Sequence, residues 1–147
     1  MTHAEKAKNY FKEGCSCSQA VLAAFSDVVG LDEQSAKRIA LGLGGGVGRM
    51  REVCGAVSAG AMVIGALAGG SDGSQKKEAY EAVQEFAAEF EKRNGAIVCR
   101  ELLKLKAGEK SSPTPDERTE QYYKIRPCAG LVYDAAQILE KMLACNS

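Results

Sequence analysis

Apolar side chains recur along most of the chain at the three- and four-residue spacing that is typical of amphipathic α-helices. No segment shows the alternating pattern of a β-strand, and we find no internal repeat. The pattern therefore predicts an all-α fold: a single-domain bundle of about five to seven helices over residues 1–147. The predicted helices cover residues 2–12, 17–29, 32–41, 53–67, 74–93, 99–106 and 127–143.

Capping signals mark where several of these helices begin. Ser16 and Gln19 have the spacing of a capping box, and Asp32 is a favourable N-cap residue. Pro127 suits the first position of the last helix, because a proline there loses no helical hydrogen bond. Residues 107–121 are polar and contain two prolines, so we expect a surface loop there.

Residues 42–51 contain five glycines and precede a segment without any charge. Each glycine inside a helix costs about 1 kcal/mol relative to alanine, so these residues should form a loop. The uncharged helix that follows should be central and buried. Its stripe of Ala56, Gly60 and Ile64 should let another helix approach closely, either within the monomer or across a homodimer.

Composition narrows the classes of function. The chain has 46% hydrophobic and 26% charged residues, as in ordinary globular proteins. Its 19 basic and 19 acidic residues argue against a nucleic-acid partner and against a polybasic membrane patch. The uncharged run of residues 53–71 is rich in Gly, Ala and Ser, which favours a buried helix over membrane insertion. The start of the chain has no apolar secretory signal, and we therefore expect a cytoplasmic protein.

Six cysteines are the main candidates for chemistry, because cytoplasmic cysteines are more typical of metal or redox sites than of structural disulfides. They are Cys15, Cys17, Cys54, Cys99, Cys128 and Cys145. Cys17, Cys54 and Cys128 fall in the first turns of predicted helices, and Cys99 lies near the start of a shorter one. A helix N-terminus can lower a thiol pKa from about 8.5 into the range of roughly 3.5–7.5. If these four residues converge, they form a reactive site.

Inert packing is the alternative for each thiol, since free cysteine often behaves as a small buried hydrophobic residue. Cys145, close to the C-terminus, fits an incidental thiol best. Cys15 fits either an incidental loop thiol or an accessory thiol that resolves a disulfide.

The glycines before the central helix also suggest a binding loop, with Gly45, Gly46 and Arg49 as candidate cofactor-binding residues. The segment matches neither GxxxxGK[ST] nor a strand-borne GxGxxG, which argues against a nucleotide. Its backbone would instead pass close to Cys54 or to a group bound there. Arg49 and Arg51 would stabilise a thiolate or an anionic ligand, or else remain solvated surface charges.

Five segments together resemble a known family. They are GCSCSQAV (residues 14–21), GGGVGR (44–49), VCGAVS (53–58), VCREL (98–102) and PCAGLV (127–132). In this order they resemble the "putative redox-active protein" family that is named for the cysteine pattern C_GCAxxG_C_C. The resemblance implies that Cys17, Cys54, Cys99 and Cys128 are the four family cysteines, with Cys15 and Cys145 outside the pattern. Ala59 stands where the family core has glycine.

Three hypotheses of function follow. In the first, Cys17, Cys54, Cys99 and Cys128 are the catalytic thiols of a cytoplasmic redox protein, a thiol-based oxidoreductase or electron carrier. Cys54 is then the best candidate for a thiolate of low pKa, and the partner is a redox protein or a small molecule. In the second hypothesis the same four cysteines bind zinc or an iron–sulfur cluster. In the third, the protein is a helical scaffold with inert buried thiols.

Overall fold

The protein is all-α in a computed structural model, which describes residues 1–68, 71–106 and 112–145. Within these ranges the chain forms nine α-helices and one 3₁₀ helix. They are α1 (His3–Lys12), α2 (Cys17–Ala24), α3 (Ser26–Val29), α4 (Glu33–Ala40), the 3₁₀ helix (Leu41–Leu43), α5 (Gly55–Ala68), α6 (Lys76–Asn94), α7 (Cys99–Leu102), α8 (Glu120–Ile125) and α9 (Cys128–Cys145). The all-α prediction is confirmed, although the helices outnumber the five to seven that we expected.

The additional helices have local causes. The helix predicted for residues 17–29 is divided into α2 and α3 at Phe25, whose backbone (φ −104°, ψ 20°) leaves the helical range. The helix predicted for residues 99–106 ends after one turn, and Lys104 just beyond it has a positive φ of 57°. The short helix α8 begins within residues 107–121, which we predicted to be a loop; residues 107–111 of that segment lie outside the described ranges.

Capping fixes the starts of α2 and α4 as predicted, whereas the proline at the start of the last helix is placed differently. The Ser16 side chain accepts a hydrogen bond from the Gln19 N–H, and the Gln19 side chain accepts one from the Ser16 N–H. Asp32 caps α4 by accepting from the Ser35 N–H at 2.8 Å. Pro127 lies one position before α9 rather than inside it, and its carbonyl accepts from the Leu131 N–H.

The core lies between α2 and the helices around it. α2 packs against α1, α4, α5 and α9, and its apolar residues from Ala20 to Ala24 are all buried. The first two-thirds of α5 is buried as predicted, whereas residues 65–68 at its end are largely at the surface. The N-terminal ends of α2 and α5 are thereby held beside each other.

Gly60 allows the close approach of α5 and α6 that the small-residue stripe of α5 predicts. A Cβ atom at Gly60 would lie 2.4 Å from Cζ of Phe86 on α6. The Phe86 ring is fully buried and fills the space in front of the glycine. This part of the expectation is confirmed within one chain.

The glycine-rich segment (residues 42–51) forms the 3₁₀ helix at its start and then a series of tight turns. The N–H groups of residues 47–52 all donate to carbonyls inside the segment. Several residues take left-handed backbone conformations, which are unusual outside glycine. They are Gly45, Gly46, Val47, Gly48, Arg49 and Arg51.

A single antiparallel bridge connects the end of this segment to α7. Val53 pairs with Val98, and the Cys99 N–H donates to the Glu52 carbonyl at 2.6 Å. The bridge brings Cys99 next to the residues that precede α5, although Cys99 is far from them in sequence. Within the described ranges, no helix is both long enough and apolar enough to cross a membrane.

Candidate thiol site

Three of the predicted site cysteines meet at the starts of three helices. Cys17 is the first residue of α2, Cys128 is the first residue of α9, and Cys54 directly precedes α5. The Cys17 thiol interacts with the thiols of both Cys128 and Cys54, and these interactions raise its pKa. Cys54 and Cys128 are only 4% and 8% exposed, and Cys17 is partly exposed. All three line one cleft of about 380 Å³, and Cys99 lines it as well.

Cys54 occupies the N-cap position of α5 rather than the first turn that we predicted. Its carbonyl accepts from the N–H groups of Val57 and Ser58, as the N-cap carbonyl of a helix does. The backbone N–H groups of Ala56 and Val57 lower the pKa of its thiol. The thiol thus takes the place that a serine or aspartate side chain usually fills at a helix start.

Hydrogen bonds shift the pKa values of these thiols in opposite directions. The pKa of Cys54 is lowered mainly by the hydrogen bond from Cys17 and further by the backbone N–H groups, although burial opposes the change. The pKa of Cys128 falls to about 7, through the hydrogen bond from Cys17 and then through the charges of Arg126, Arg118 and Arg51. The pKa of Cys17 is raised well above its usual value, first by its interactions with Cys128 and Cys54 and then by burial.

The proton of the Cys17 thiol can stabilise a thiolate at only one of the other two cysteines. The Cys17 S–H has one hydrogen, so it donates to Cys54 or to Cys128 but not to both at once. A thiolate at Cys128 also raises the pKa of Cys54, because two negative charges would lie close together in a buried site. The cluster is therefore built to hold one thiolate at a time.

Cys99 stands beside the cluster and contacts a buried arginine. Its sulfur lies 3.6 Å from Nη1 of Arg51. Burial raises the pKa of Cys99, while the Arg51 guanidinium lowers it to a smaller extent. Cys99 is thus the family cysteine that an arginine contacts directly.

The far wall of the cleft comes from the segment between α7 and α9, which the sequence analysis did not assign to the site. Arg118 lies against the rings of Phe11 and Tyr122 and donates to the carbonyls of Phe11 and Cys15. Arg126 pairs with Asp116 at 2.5 Å. The one sequence signal for this wall is the position of Arg126, two residues before Cys128.

Gly45, Gly46 and Arg49 line the cleft, but their surroundings differ from a phosphate loop. The Arg49 guanidinium pairs with Asp116 at 3.5 Å and donates to the Ser112 carbonyl at 2.9 Å. A Cβ atom at Gly46 would lie 2.7 Å from Cβ of Cys99. Gly46 therefore lets the backbone pass close to Cys99, whereas we expected the loop to pass close to Cys54. The role of Gly45, Gly46 and Arg49 in binding a cofactor stays a prediction.

The remaining cysteines do not border the cleft. Cys15 is half-buried, and burial raises its pKa; Cys145 is exposed at the end of α9. All six cysteines are free thiols. In the part of the chain that the structure describes, no three Cys, His, Asp or Glu side chains are arranged to hold a metal ion.

The structure is thus a helical bundle that gathers free thiols at the starts of three helices. The chain is a member of the family described as "Putative redox-active protein (C_GCAxxG_C_C)", whose profile matches residues 15–142. Comparison with curated proteins finds no match, and comparison with solved structures finds none either.

Proposed function

We propose that the protein is a cytoplasmic thiol–disulfide oxidoreductase in which Cys128 is the attacking thiolate and Cys17 resolves the mixed disulfide. The observation that carries this proposal is the meeting of Cys17 and Cys128, each at the start of a helix, in one cleft. One thiol of the pair is ionised easily, and the other retains its proton beside it. That combination is typical of dithiols that exchange with disulfides.

Cys128 suits the first step better than Cys54. Its pKa of about 7 lies near neutral pH, where a thiol combines a large thiolate fraction with good nucleophilicity. Three arginine charges support its thiolate, whereas Cys54 relies on backbone N–H groups and is the less exposed of the two. In this scheme Cys54 is an alternative resolving thiol, because it lies close enough to Cys128 for their charges to interact.

The reaction conserves atoms and electrons. The Cys128 thiolate attacks one sulfur of a substrate disulfide, which breaks the S–S bond and releases one substrate thiolate. Cys17 then loses its proton and attacks the Cys128 sulfur, which releases the second substrate thiolate and forms a Cys17–Cys128 disulfide. The two protein thiols supply two electrons, and the two substrate thiols take up the protons.

The hypothesis of a helical scaffold with inert thiols accounts less well for the pKa values of these cysteines. Burial alone raises a thiol pKa, as it does at Cys15, but the pKa values of Cys54 and Cys128 are lowered despite their burial. A cytoplasmic location fits six free thiols, since that compartment keeps thiols reduced.

Thiol counting tests the proposal. The protein is purified without oxygen, its bound metal is measured, and its thiols are counted before and after treatment with hydroxyethyl disulfide. We expect the loss of two thiols per chain, with peptide mapping that identifies a Cys17–Cys128 disulfide. Cys128→Ser should abolish this loss, and Cys145→Ser is the matched control that should retain it.

Two results would contradict the proposal. One is the survival of all thiols after treatment, which would favour the scaffold. The other is stoichiometric zinc, or iron with sulfide, that blocks thiol loss until a chelator removes it; this would favour the metal-binding alternative.

A further inference from the structure

The cleft beside the thiols is positively charged, although the chain as a whole has a net charge of zero. Among the described residues that line it, four are arginines and one is a carboxylate. They are Arg49, Arg51, Arg118, Arg126 and Asp116. A cleft with low-dielectric walls and charges of one sign concentrates ligands of the opposite sign.

Three of the arginines are engaged within the protein. Asp116 pairs with both Arg49 and Arg126, so one carboxylate serves two guanidinium groups. Arg118 is held by two backbone carbonyls and by aromatic rings. These contacts fix the positions of the three groups and neutralise only part of their charge.

Arg51 is the exception. It is 5% exposed, and its one hydrogen bond among the described residues goes to the Cys99 sulfur. Its Nε atom is buried without a hydrogen-bond partner, and no described carboxylate lies within ion-pair distance. A buried charge of this kind is costly unless an anion compensates it. A neutral Cys99 thiol does not supply that anion, and the Cys128 thiolate, whose pKa Arg51 helps to lower, makes no hydrogen bond with Arg51 among the described residues.

From the buried Arg51 and the charge of the cleft we propose that the substrate is a small disulfide with an anionic group, such as a carboxylate. Arg51 would hold the anionic group, while the substrate sulfur meets Cys128 in the same cleft. The cleft volume of about 380 Å³ falls in the range of small-molecule sites. This inference rests on the proposed function, because the thiol exchange described above is the reaction that the substrate undergoes.

Three disulfides that share two methylene groups between each sulfur and the end group separate charge from reactivity. Dithiodipropionate is a dianion, hydroxyethyl disulfide is neutral, and cystamine is a dication. The rate constant of each with the reduced protein is divided by its rate constant with dithiothreitol at the same pH. We expect the normalised rate for the dianion to exceed that for the neutral disulfide about tenfold, as one charge-assisted hydrogen bond allows, and cystamine to be slowest.

Substitutions of Arg51 test whether this residue causes the preference for the dianion. Arg51→Gln should remove the preference for the dianion, and Arg51→Lys should restore part of it. Arg38→Gln is the matched control, since it removes the same charge from an exposed position of α4. If Arg51→Gln does not fold, the wild type still provides a test, because added salt should reduce the preference for the dianion and leave the neutral rate unchanged.

A thioether that cannot react distinguishes the two proposals. Methylthiopropionate has the carboxylate and the sulfur but no S–S bond. It should raise the Tm of the wild type and not that of Arg51→Gln. If none of the disulfides reacts but the thioether binds, the oxidoreductase function fails and the anion site stands. Equal normalised rates for all three disulfides, or absence of thioether binding, would overturn the anionic substrate.

Discussion

At Cys128 two physical effects compete, and the result sets the reactivity of the site. Burial favours the neutral thiol, while the hydrogen bond from Cys17 and the arginine charges favour the thiolate. The hydrogen bond and the arginine charges outweigh burial, so a large fraction of Cys128 is a thiolate near neutral pH. The same hydrogen bond has the opposite consequence for Cys17, which keeps its proton.

The pH dependence of alkylation should report this balance directly. We expect the rate at which iodoacetamide modifies Cys128 to rise with pH through a midpoint near 7. Cys17→Ala removes the hydrogen-bond donor and should move the midpoint upward, toward the ordinary thiol value of 9.0. Mass spectrometry of Cys128 peptides after timed alkylation gives both midpoints.

Cys17→Ser serves as the matched variant, because its hydroxyl can still donate a hydrogen bond. Its midpoint should lie between those of the wild type and Cys17→Ala. An equal midpoint in the wild type and in Cys17→Ala would contradict the assigned role of Cys17.

At the scale of the elements, capping and apolar spacing predicted most helices. The points at which a helix is interrupted were harder to predict. The capping box of Ser16 and Gln19 and the N-cap at Asp32 depend on residues that are close in sequence, and both were found. The break at Phe25 was missed, because an uninterrupted apolar pattern continues through it. The start of α5 was misplaced by two residues, since the bridge between Val53 and Val98 is a long-range contact.

The packing of α5 on α6 gives a direct test of the small-residue stripe. Gly60→Ala places a Cβ atom against the buried Phe86 ring, which has little room to move. Overpacking of this kind costs about 1–3 kcal/mol, and we expect that loss in the free energy of unfolding by urea denaturation.

Gly65→Ala on the same helix is the control. A Cβ atom there meets nothing within 4 Å, so the higher helix propensity of alanine should stabilise the protein slightly. Equal effects of the two substitutions would mean that the close approach at Gly60 does not matter for stability.

At the scale of the whole molecule, the site depends on contacts that no local pattern contains. The sequence pointed to the four family cysteines through their positions near helix starts and through the family resemblance. It did not indicate that Cys99 would reach Arg51, or that Asp116 and Arg118 would form the far wall. Those residues enter the cleft through chain segments that are distant in sequence and carry no helical periodicity.

Stability should also depend on pH through Cys128. Its pKa is about 7 in the folded protein and 9.0 as an ordinary thiol, so the folded state releases this proton first as pH rises. The stabilising contribution is absent at low pH, grows between these two values and is complete above the higher one. We expect the free energy of unfolding of the wild type, relative to Cys128→Ser, to increase by on the order of 1 kcal/mol over this interval.

Urea titrations of both proteins at several pH values between 7 and 9 measure this difference. Cys145→Ser, which alters an exposed thiol at the end of α9, should parallel the wild type throughout. A constant difference between the wild type and Cys128→Ser would show that Cys128 titrates alike in the folded and unfolded chains.

The first and last members of the thiol cluster lie near opposite ends of the chain, at residues 17 and 128. A bond between them would close residues 17–128 into a covalent ring. Closing a ring of about 100 residues removes chain entropy from the unfolded state that is equivalent to about 4.7 kcal/mol. Oxidation would then stabilise the whole fold. The tendency of the two thiols to form a disulfide would in turn increase with the free energy that keeps residues 17 and 128 together in the folded chain.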